Sequence, residues 1–163
     1  MALMRMILAA VTLAACATPA RAHGMDVFAP FIGCWRGEFE GQSDVHDERC
    51  FERNGAYVRD VHHVRPTDYS GESIYYADAE AGGLAYTYFA SDGGRSQGAV
   101  SPNGTAVTFE PHWYVPPSGE RQLLRANWRL IDANHYEVLT EREEGGAWRP
   151  LMRIVYAREE AGQ

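Results

Sequence analysis

Apolar and polar residues alternate along most of the chain from residue 33 onward, in short segments separated by turn residues. Alternation at every second position is typical of a β-strand with one buried face, and no segment sustains the helical period. A short helical turn at 26–32 precedes the first strand. The pattern predicts ten strands, at 33–41, 44–53, 56–65, 72–78, 84–90, 95–101, 105–110, 121–131, 135–143 and 148–158.

Short links join these strands, and they indicate how the sheet closes. Asn54-Gly55 is a typical central pair for a type I′ hairpin turn. The one long irregular segment, 111–120, carries His112 and Tyr114, and we interpret it either as a lid or as an apolar plug at one end. Links between neighbouring strands close a sheet without crossings, so we predict an all-β fold. It is a single antiparallel up-and-down barrel, lipocalin-like in plan, over 25–159.

The first 22 residues have the features of an export signal. Arg5 supplies a positive start, and the apolar stretch 6–15 is too short to span a bilayer. Two processing sites compete: Leu13-Ala14-Ala15-Cys16 resembles a lipobox that would lipidate Cys16, and Ala20-Arg21-Ala22 fits ordinary signal peptidase. Both predict a periplasmic or cell-envelope protein, with the membrane reached only through a lipid anchor on Cys16.

Cys34 and Cys50 lie at equal distances from a turn centred on Gln42, so a hairpin there places them opposite each other. Paired antiparallel residues lie about 4.5–5.5 Å apart at Cα, which a disulfide can bridge. The same register pairs Arg36 with Glu48, whose charges are complementary. We predict a Cys34–Cys50 disulfide; the alternative is a pair of free thiols that lie close by chance.

Combining this register with that of the Asn54-Gly55 hairpin predicts which residues face the interior. Arg49 lies opposite Asp60, and Asp47 opposite His62, on the face that also holds the large apolar residues. Ionisable groups on an inward face are costly unless they pair with each other, with water or with a ligand. We therefore predict close Arg49–Asp60 and Asp47–His62 contacts.

These four residues form the polar part of a predicted ligand site. Its apolar walls come from aromatic residues of other strands: Tyr76, Tyr86, Tyr88, Trp128 and Tyr156. A few polar groups in an otherwise apolar pocket orient an amphipathic molecule. The competing interpretation is a self-satisfied polar network that crosses a packed interior. The predicted ligand-binding residues are Arg49, Asp60, Asp47, His62, Tyr86, Tyr88 and Trp128.

Composition excludes several functions. The chain carries 15 basic residues, all of them arginine, against 22 acidic ones, for a net charge of -7. No nucleic-acid partner is expected at this charge, and without lysine there is no Schiff base or P-loop chemistry. The sequence Gly94-Arg95-Ser96-Gln97-Gly98 matches a nucleophile elbow by letter but starts a strand, so we assign no catalytic residue. His62 and His63 are adjacent in a strand and point to opposite faces, so we predict no metal site.

The segment Gly33-Cys34-Trp35, followed by Arg36-Gly37-Glu38, resembles the G-x-W opening of lipocalin-like (calycin) barrels, including small bacterial exported families of unknown function. The resemblance implies that the Trp packs at the closed end beneath an arginine of the last strand, here Arg153 or Arg158. Nitrobindin-type haem-binding barrels open similarly, but the final strand lacks the histidine that a proximal haem ligand requires. We therefore expect no cofactor, with haem as a minor alternative.

Our leading hypothesis is a cell-envelope barrel that carries or senses a small apolar or amphipathic ligand. One alternative is an enzyme that uses an Asp47–His62 dyad, with Arg49 binding a substrate carboxylate or oxyanion. Another is a packed envelope protein whose partner is a protein. The hypotheses differ in whether the polar residues line an open cavity or a dry interior.

Overall fold

Ten antiparallel strands close into a barrel in which each strand pairs with the next along the chain and the last pairs with the first. The computed structural model describes residues 24–160, so the predicted export signal and the lipidation site at Cys16 lie outside the described residues. No helix in the described part is long and apolar enough to cross a membrane. A 3₁₀ helix at Met25–Phe31, which we call the cap helix, precedes the strands. The strands are β1 (Gly33–Phe39), β2 (Gln42–Asn54), β3 (Tyr57–Arg65), β4 (Ser70–Asp78), β5 (Gly83–Ala90), β6 (Arg95–Asn103), β7 (Ala106–Val115), β8 (Gln122–Leu130), β9 (His135–Glu144) and β10 (Ala147–Arg158).

The predicted fold class is confirmed, but one predicted irregular segment is wrong for half of its length. Strand β7 continues to Val115, so the loop is confined to 116–121. The pairing register shifts between Phe109 and His112, and Pro111 lies inside this bulge. A bulge is one of the few places where a strand tolerates a residue without an N–H. Beyond it, His112 and Tyr114 become part of the barrel wall rather than of a lid or plug loop.

The β1–β2 hairpin has the predicted register over most of its length. Cys34 lies opposite Cys50 and Arg36 opposite Glu48. The Cys34–Cys50 disulfide is present, with a Cα–Cα distance of 4.1 Å. The register shifts at the end of β1, where Phe39 pairs with Gln42.

The predicted register of the β2–β3 hairpin is wrong by two residues. Asn54 pairs with Tyr57 and Arg49 with His62, because the turn is centred on Gly55 and its successor rather than on Asn54 and Gly55. Gly55 has a φ of 60°, which suits a glycine at the first central position of a hairpin turn. A shift of two equals the strand period, so every side chain keeps its predicted face.

The cap helix closes one end of the barrel, which we call the closed end. Its Phe28 and Phe31 are fully buried. Phe28 packs on Tyr75 of β4, and Phe31 packs on Trp128 of β8 and Tyr136 of β9, with ring centroids 4.6–5.7 Å apart. Because these aromatic contacts fill the closed end, the other end is the one through which the interior is reached.

Trp35 and Arg158 join the first strand, the last strand and the cap helix. The Trp35 indole is fully buried and donates a hydrogen bond to the carbonyl of Phe31 at 2.7 Å. The Arg158 guanidinium lies 4.0 Å from the centroid of the indole ring and donates to the carbonyls of Pro30 and Ile32. Arg158 therefore has the position that the lipocalin resemblance implies, and Arg153 does not, since it pairs on the outside with Glu137 and Glu40.

Removing the disulfide tests how much it stabilises the first hairpin. The double variant Cys34→Ser/Cys50→Ser opens a loop closed at a sequence separation of 16. We expect its free energy of unfolding to fall by about 3 kcal/mol, because cross-linking a loop of this length restricts the unfolded chain. Urea unfolding followed by tryptophan fluorescence measures the change. A reductant should destabilise the wild type by the same amount and leave the variant unchanged; equal stability in all samples would contradict the expectation.

Candidate ligand cavity

A cavity of about 620 Å³ extends into the barrel from the end opposite the cap helix. This volume lies in the range of small-molecule sites. Phe39, Gln42, Thr67 and Gln122 lie near its mouth, next to the strand turns at that end. Of the seven predicted ligand-binding residues, Asp60 is the exception: it is completely buried behind Arg49 and does not line the cavity. The six that line it are Arg49, Asp47, His62, Tyr86, Tyr88 and Trp128.

Arg49 lies at the centre of a buried charge cluster. Its Nε atom is 3.2 Å from Oδ1 of Asp60 and 3.7 Å from Oδ2 of Asp47. Its Cζ atom lies 5.4–5.9 Å from the ring centroids of Phe51, Trp128 and Tyr156, within cation–π range. Burial lowers the pKa of Arg49, but the charges of Asp60 and Asp47 raise it well above its usual value. The guanidinium therefore stays charged at the cavity wall.

The two carboxyl groups beside Arg49 differ in their surroundings. Asp60 accepts a hydrogen bond from the Tyr75 hydroxyl at 2.9 Å. Burial raises the pKa of Asp60, and the charge of Arg49 offsets only part of that effect. Burial also raises the pKa of Asp47, but the hydrogen bond from His62 and the charge of Arg49 outweigh it, so the pKa lies below its usual value. Asp47 is therefore the more firmly ionised of the two.

Hydrogen bonds link Asp47 to the cavity mouth through His62 and two tyrosines. The ionised Asp47 only accepts, so Nδ1–H of His62 donates to it at 2.9 Å. In the neutral ring, Nε2 then accepts from the Tyr88 hydroxyl at 3.1 Å, and that oxygen lies 2.8 Å from the Tyr69 hydroxyl. Burial raises the pKa of Tyr88, which keeps it protonated as a donor. Tyr88 hydrogen-bonds to Nε2, the nitrogen that a general base would use. In this structure the Asp47–His62 pair is therefore part of a chain of hydrogen bonds, which we call the tyrosine relay.

Two glycines allow this row of polar side chains to cross the sheet. Gly37 of β1 is paired with Asp47 on one side and with Tyr156 on the other, and the Tyr156 hydroxyl donates to Asp47 at 2.7 Å. A Cβ atom at Gly37 would lie 2.5 Å from the Tyr156 ring. In β4, a Cβ at Gly71 would lie 2.4 Å from Tyr88 and 2.6 Å from Nε2 of His62. Only a residue without a side chain lets Tyr156 and Tyr88 reach across these strands.

Both predicted contacts, Arg49–Asp60 and Asp47–His62, are present although the predicted register is wrong. Each is formed between diagonal neighbours instead of directly opposite residues. Diagonal neighbours on one face of a sheet lie within reach of long side chains. The correct face assignment was therefore sufficient to find the contacts.

Two residues of the cavity, Tyr75 and His112, were not predicted from the sequence. The prediction of Tyr76 for the wall is wrong, because the buried, inward residue is its neighbour Tyr75. Glu72 and Asp78 share the face of Tyr76 and mark it as the outer one, but Ile74 on that same face is apolar and obscures the signal. His112 also lines the cavity; its Nδ1 donates to the Glu110 carbonyl at 2.8 Å, and burial lowers its pKa. The bulge in β7 sets its direction, and no alternation pattern reports a bulge.

The rest of the cavity lining is largely apolar. Ser96, at the centre of the motif that matches a nucleophile elbow, is buried there with its oxygen 3.3 Å from the Tyr86 hydroxyl. The chain continues from it as β6, so the turn from strand to helix that defines the elbow is not formed.

Among residues 24–160, no group of three or more His, Cys, Asp or Glu side chains is placed to hold a metal ion. The apolar side chains of the cavity lining include Phe109, Leu124, Val138, Met152 and Ile154.

Comparison with known proteins supports the fold. No protein-family model matches the chain, and no curated protein matches it. Ten chains of known structure match. One is the crystal structure of Rv2717c from M. tuberculosis, with a TM-score of 0.61 and 15% sequence identity, over 85% of this chain and 99% of that chain. At this identity the likeness shows the fold alone, and together with the ten-strand barrel it fits a lipocalin-like barrel.

A methyl group at Gly71 tests the row of polar side chains. We expect Gly71→Ala to lower the free energy of unfolding by about 1–3 kcal/mol, because the added Cβ overlaps both Tyr88 and His62. The matched control is Gly83→Ala in β5, where an added Cβ meets nothing within 4 Å. Urea unfolding of both variants measures the difference, and an equally stable Gly71→Ala protein would contradict the close approach.

The Asp47 carboxylate gives stability a predictable dependence on pH. A carboxyl whose folded-state pKa is lowered stabilises the fold above its unfolded pKa, and this contribution is lost as the pH falls through the folded pKa. Asp47→Asn should therefore lower the free energy of unfolding by about 3 kcal/mol at neutral pH, and this difference from the wild type should shrink below about pH 4. Asp60 has a raised pKa, so the difference in unfolding free energy between Asp60→Asn and the wild type should change with pH in the opposite direction. Parallel pH profiles of the two variants, measured by urea unfolding, would contradict this assignment.

Proposed function

We propose that the protein binds a small amphipathic molecule inside the barrel and acts as a carrier or sensor in the cell envelope. The observation that carries the proposal is the state of Arg49. Arg49 lines the cavity with 12% of its side chain exposed, and no hydrogen bond joins its terminal nitrogens to a described residue, whereas its Nε is buried 3.2 Å from Oδ1 of Asp60 without a hydrogen-bond partner. A charged donor at a cavity wall with free N–H groups is suited to hold a polar atom of a ligand.

If the interior were fully packed, protein groups would accept hydrogen bonds from the terminal nitrogens of Arg49. An unpaired ionic donor in an apolar environment costs several kcal/mol, so natural interiors pair it with protein groups. Here the protein places two carboxylates and three aromatic rings around the guanidinium, yet its buried Nε makes no hydrogen bond and its terminal nitrogens have none to a described residue. Water or a ligand must therefore satisfy the remaining donors.

The rest of the cavity favours an amphipathic occupant. The charge cluster and the tyrosine relay supply its polar groups, and side chains of β7 to β10 supply most of its apolar lining. Removing apolar surface from water drives binding, and the polar side fixes the orientation of the ligand. A purely polar molecule would leave the apolar wall wet, and a purely apolar one would leave Arg49 without an acceptor.

A cell-envelope location rests on the leader and the disulfide. Residues 1–22 have the composition of an export signal, and disulfides such as Cys34–Cys50 persist mainly in oxidising compartments. Lipidation at Cys16 would anchor the barrel to a membrane, and cleavage after Ala22 would release it. The net charge of -7 supports a partner other than nucleic acid.

The contact between Asp47 and His62 supports an enzymatic alternative, in which Arg49 would bind a substrate oxyanion. In that case Tyr88 must move to free Nε2 of His62 before proton transfer. Turnover that His62→Ala abolishes, with ligand affinity retained, would favour the enzyme over the carrier.

A native mass spectrum of the protein, gently extracted from cell envelopes of its own host, tests the proposal. We expect a small-molecule adduct that is released on denaturation, and haem would be recognised at once by its mass. The variant Ala126→Phe adds a ring to the cavity wall and should lose the adduct, while Ala157→Phe on the exposed face of β10 should retain it. A wild-type protein without an adduct, or an adduct that Ala126→Phe retains, would contradict binding in the cavity.

A further inference from the structure

We propose that the ligand presents a neutral hydrogen-bond acceptor, such as the carbonyl oxygen of a ketone, ester or amide, to Arg49. This inference rests on the proposed function and names the chemistry of its ligand. It follows from the hydrogen-bond donors and acceptors of the charge cluster that no protein group uses.

The groups that Arg49 presents to the cavity are donors. The terminal nitrogens of Arg49 carry four N–H groups, and no hydrogen bond of good geometry joins them to a described residue. The Tyr136 hydroxyl is a neighbouring acceptor, but it too is buried without a geometric hydrogen-bond partner, and Arg49 offsets only part of the effect by which burial raises the Tyr136 pKa. Two of these N–H groups at neighbouring nitrogens converge on one region of space, as guanidinium forks do. The ligand atom that meets them must therefore be an acceptor.

The charge of the cluster disfavours an anionic acceptor. Asp47 and Asp60 contribute two negative charges against the single positive charge of Arg49, and both lie within 3.7 Å of its Nε. A ligand carboxylate would be a third anion around one cation. Like charges in a site of low dielectric repel strongly, and one carboxyl then has to take up a proton. Binding a carboxylate therefore carries a penalty that a neutral oxygen avoids.

The same cluster has no free acceptor for a cationic ligand, although its net charge is negative. Both oxygens of Asp47 already accept, from His62 and from Tyr156. Asp60 accepts from Tyr75 with one oxygen, and its other oxygen is buried against Arg49. An ammonium group would reach no free carboxylate oxygen and would meet the guanidinium first.

The aromatic faces near the cluster do not alter this conclusion. The rings of Phe51, Trp128 and Tyr156 lie within cation–π range of the Arg49 guanidinium. A second cation over the same rings would be repelled by Arg49 at short range. A neutral acceptor is thus the one class that uses the free donors without adding charge to the cluster.

A matched set of naphthalene derivatives tests the inference by isothermal titration calorimetry. The four probes are acetylnaphthalene, naphthoate, naphthylmethylamine and ethylnaphthalene, which share one ring system and differ in the polar group. We expect acetylnaphthalene to bind about tenfold more tightly than each of the other three, a difference that one well-placed charge-assisted hydrogen bond supplies.

A charge variant makes the test independent of probe shape. Asp60 does not line the cavity, so Asp60→Asn leaves the surface that the probe touches unchanged and keeps an acceptor for Tyr75. The variant should bind naphthoate about tenfold more tightly than the wild type does, because one competing negative charge is gone. The matched control is Glu72→Gln on the outside of β4, which removes the same charge from a surface pair with Arg59 and should leave naphthoate affinity unchanged.

The outcomes separate this inference from the proposed function. If no probe binds, ligand binding in the cavity is wrong and the inference falls with it. If probes bind but naphthoate or naphthylmethylamine is the tightest for the wild type, or all four bind equally, the inference is wrong and the function stands. Should Asp60→Asn fail to fold by circular dichroism, the charge-balanced variant Arg49→Gln/Asp60→Asn replaces it. That variant should bind ethylnaphthalene as the wild type does and lose the preference for the ketone; a retained preference would overturn the inference.

Discussion

The interior depends on one buried guanidinium held between two carboxylates. Arg49 and Asp47 belong to β2 and Asp60 to β3, so the ion pairs join neighbouring strands on their inward face. Tyr75 of β4 and Tyr156 of β10 donate to the same carboxylates and bring in two further strands. Buried charges are tolerated only when compensated in this way, so the cluster fixes which side chains surround it. Arg49 and Asp47 of the cluster, together with His62, line the cavity.

The glycines explain how such a network fits inside a barrel. A row of side chains runs from Tyr156 over Gly37 to Asp47 and His62, and then over Gly71 to Tyr88. The second glycine of the opening Gly-Cys-Trp-Arg-Gly segment is therefore a packing requirement of the polar row. The tryptophan of that segment serves a separate purpose at the closed end, where Arg158 covers it.

The fold and half of the site could be predicted because both depend on a period of two. Strand order, the disulfide and the inward direction of Arg49 and His62 follow from alternation and short links. The register of β3 does not, because a turn centred one residue later moves every pair by two positions and leaves the pattern unchanged. The bulge at Pro111 likewise leaves no periodic signal. Tyr75 could have been chosen over Tyr76 from Glu72 and Asp78, which share the face of Tyr76, but the apolar Ile74 on that face obscures the pattern. Contacts that cross a strand at a glycine can be found only from the three-dimensional structure.

A crystal structure of the protein purified from its own host, without added ligand, tests directly whether the terminal nitrogens of Arg49 receive a ligand atom. The predicted result is electron density for a non-water molecule within hydrogen-bond distance of the Arg49 terminal nitrogens, with its apolar part against the apolar lining of the cavity. A structure in which these nitrogens bond to protein carbonyls or carboxylates, and side chains fill the cavity, would contradict it.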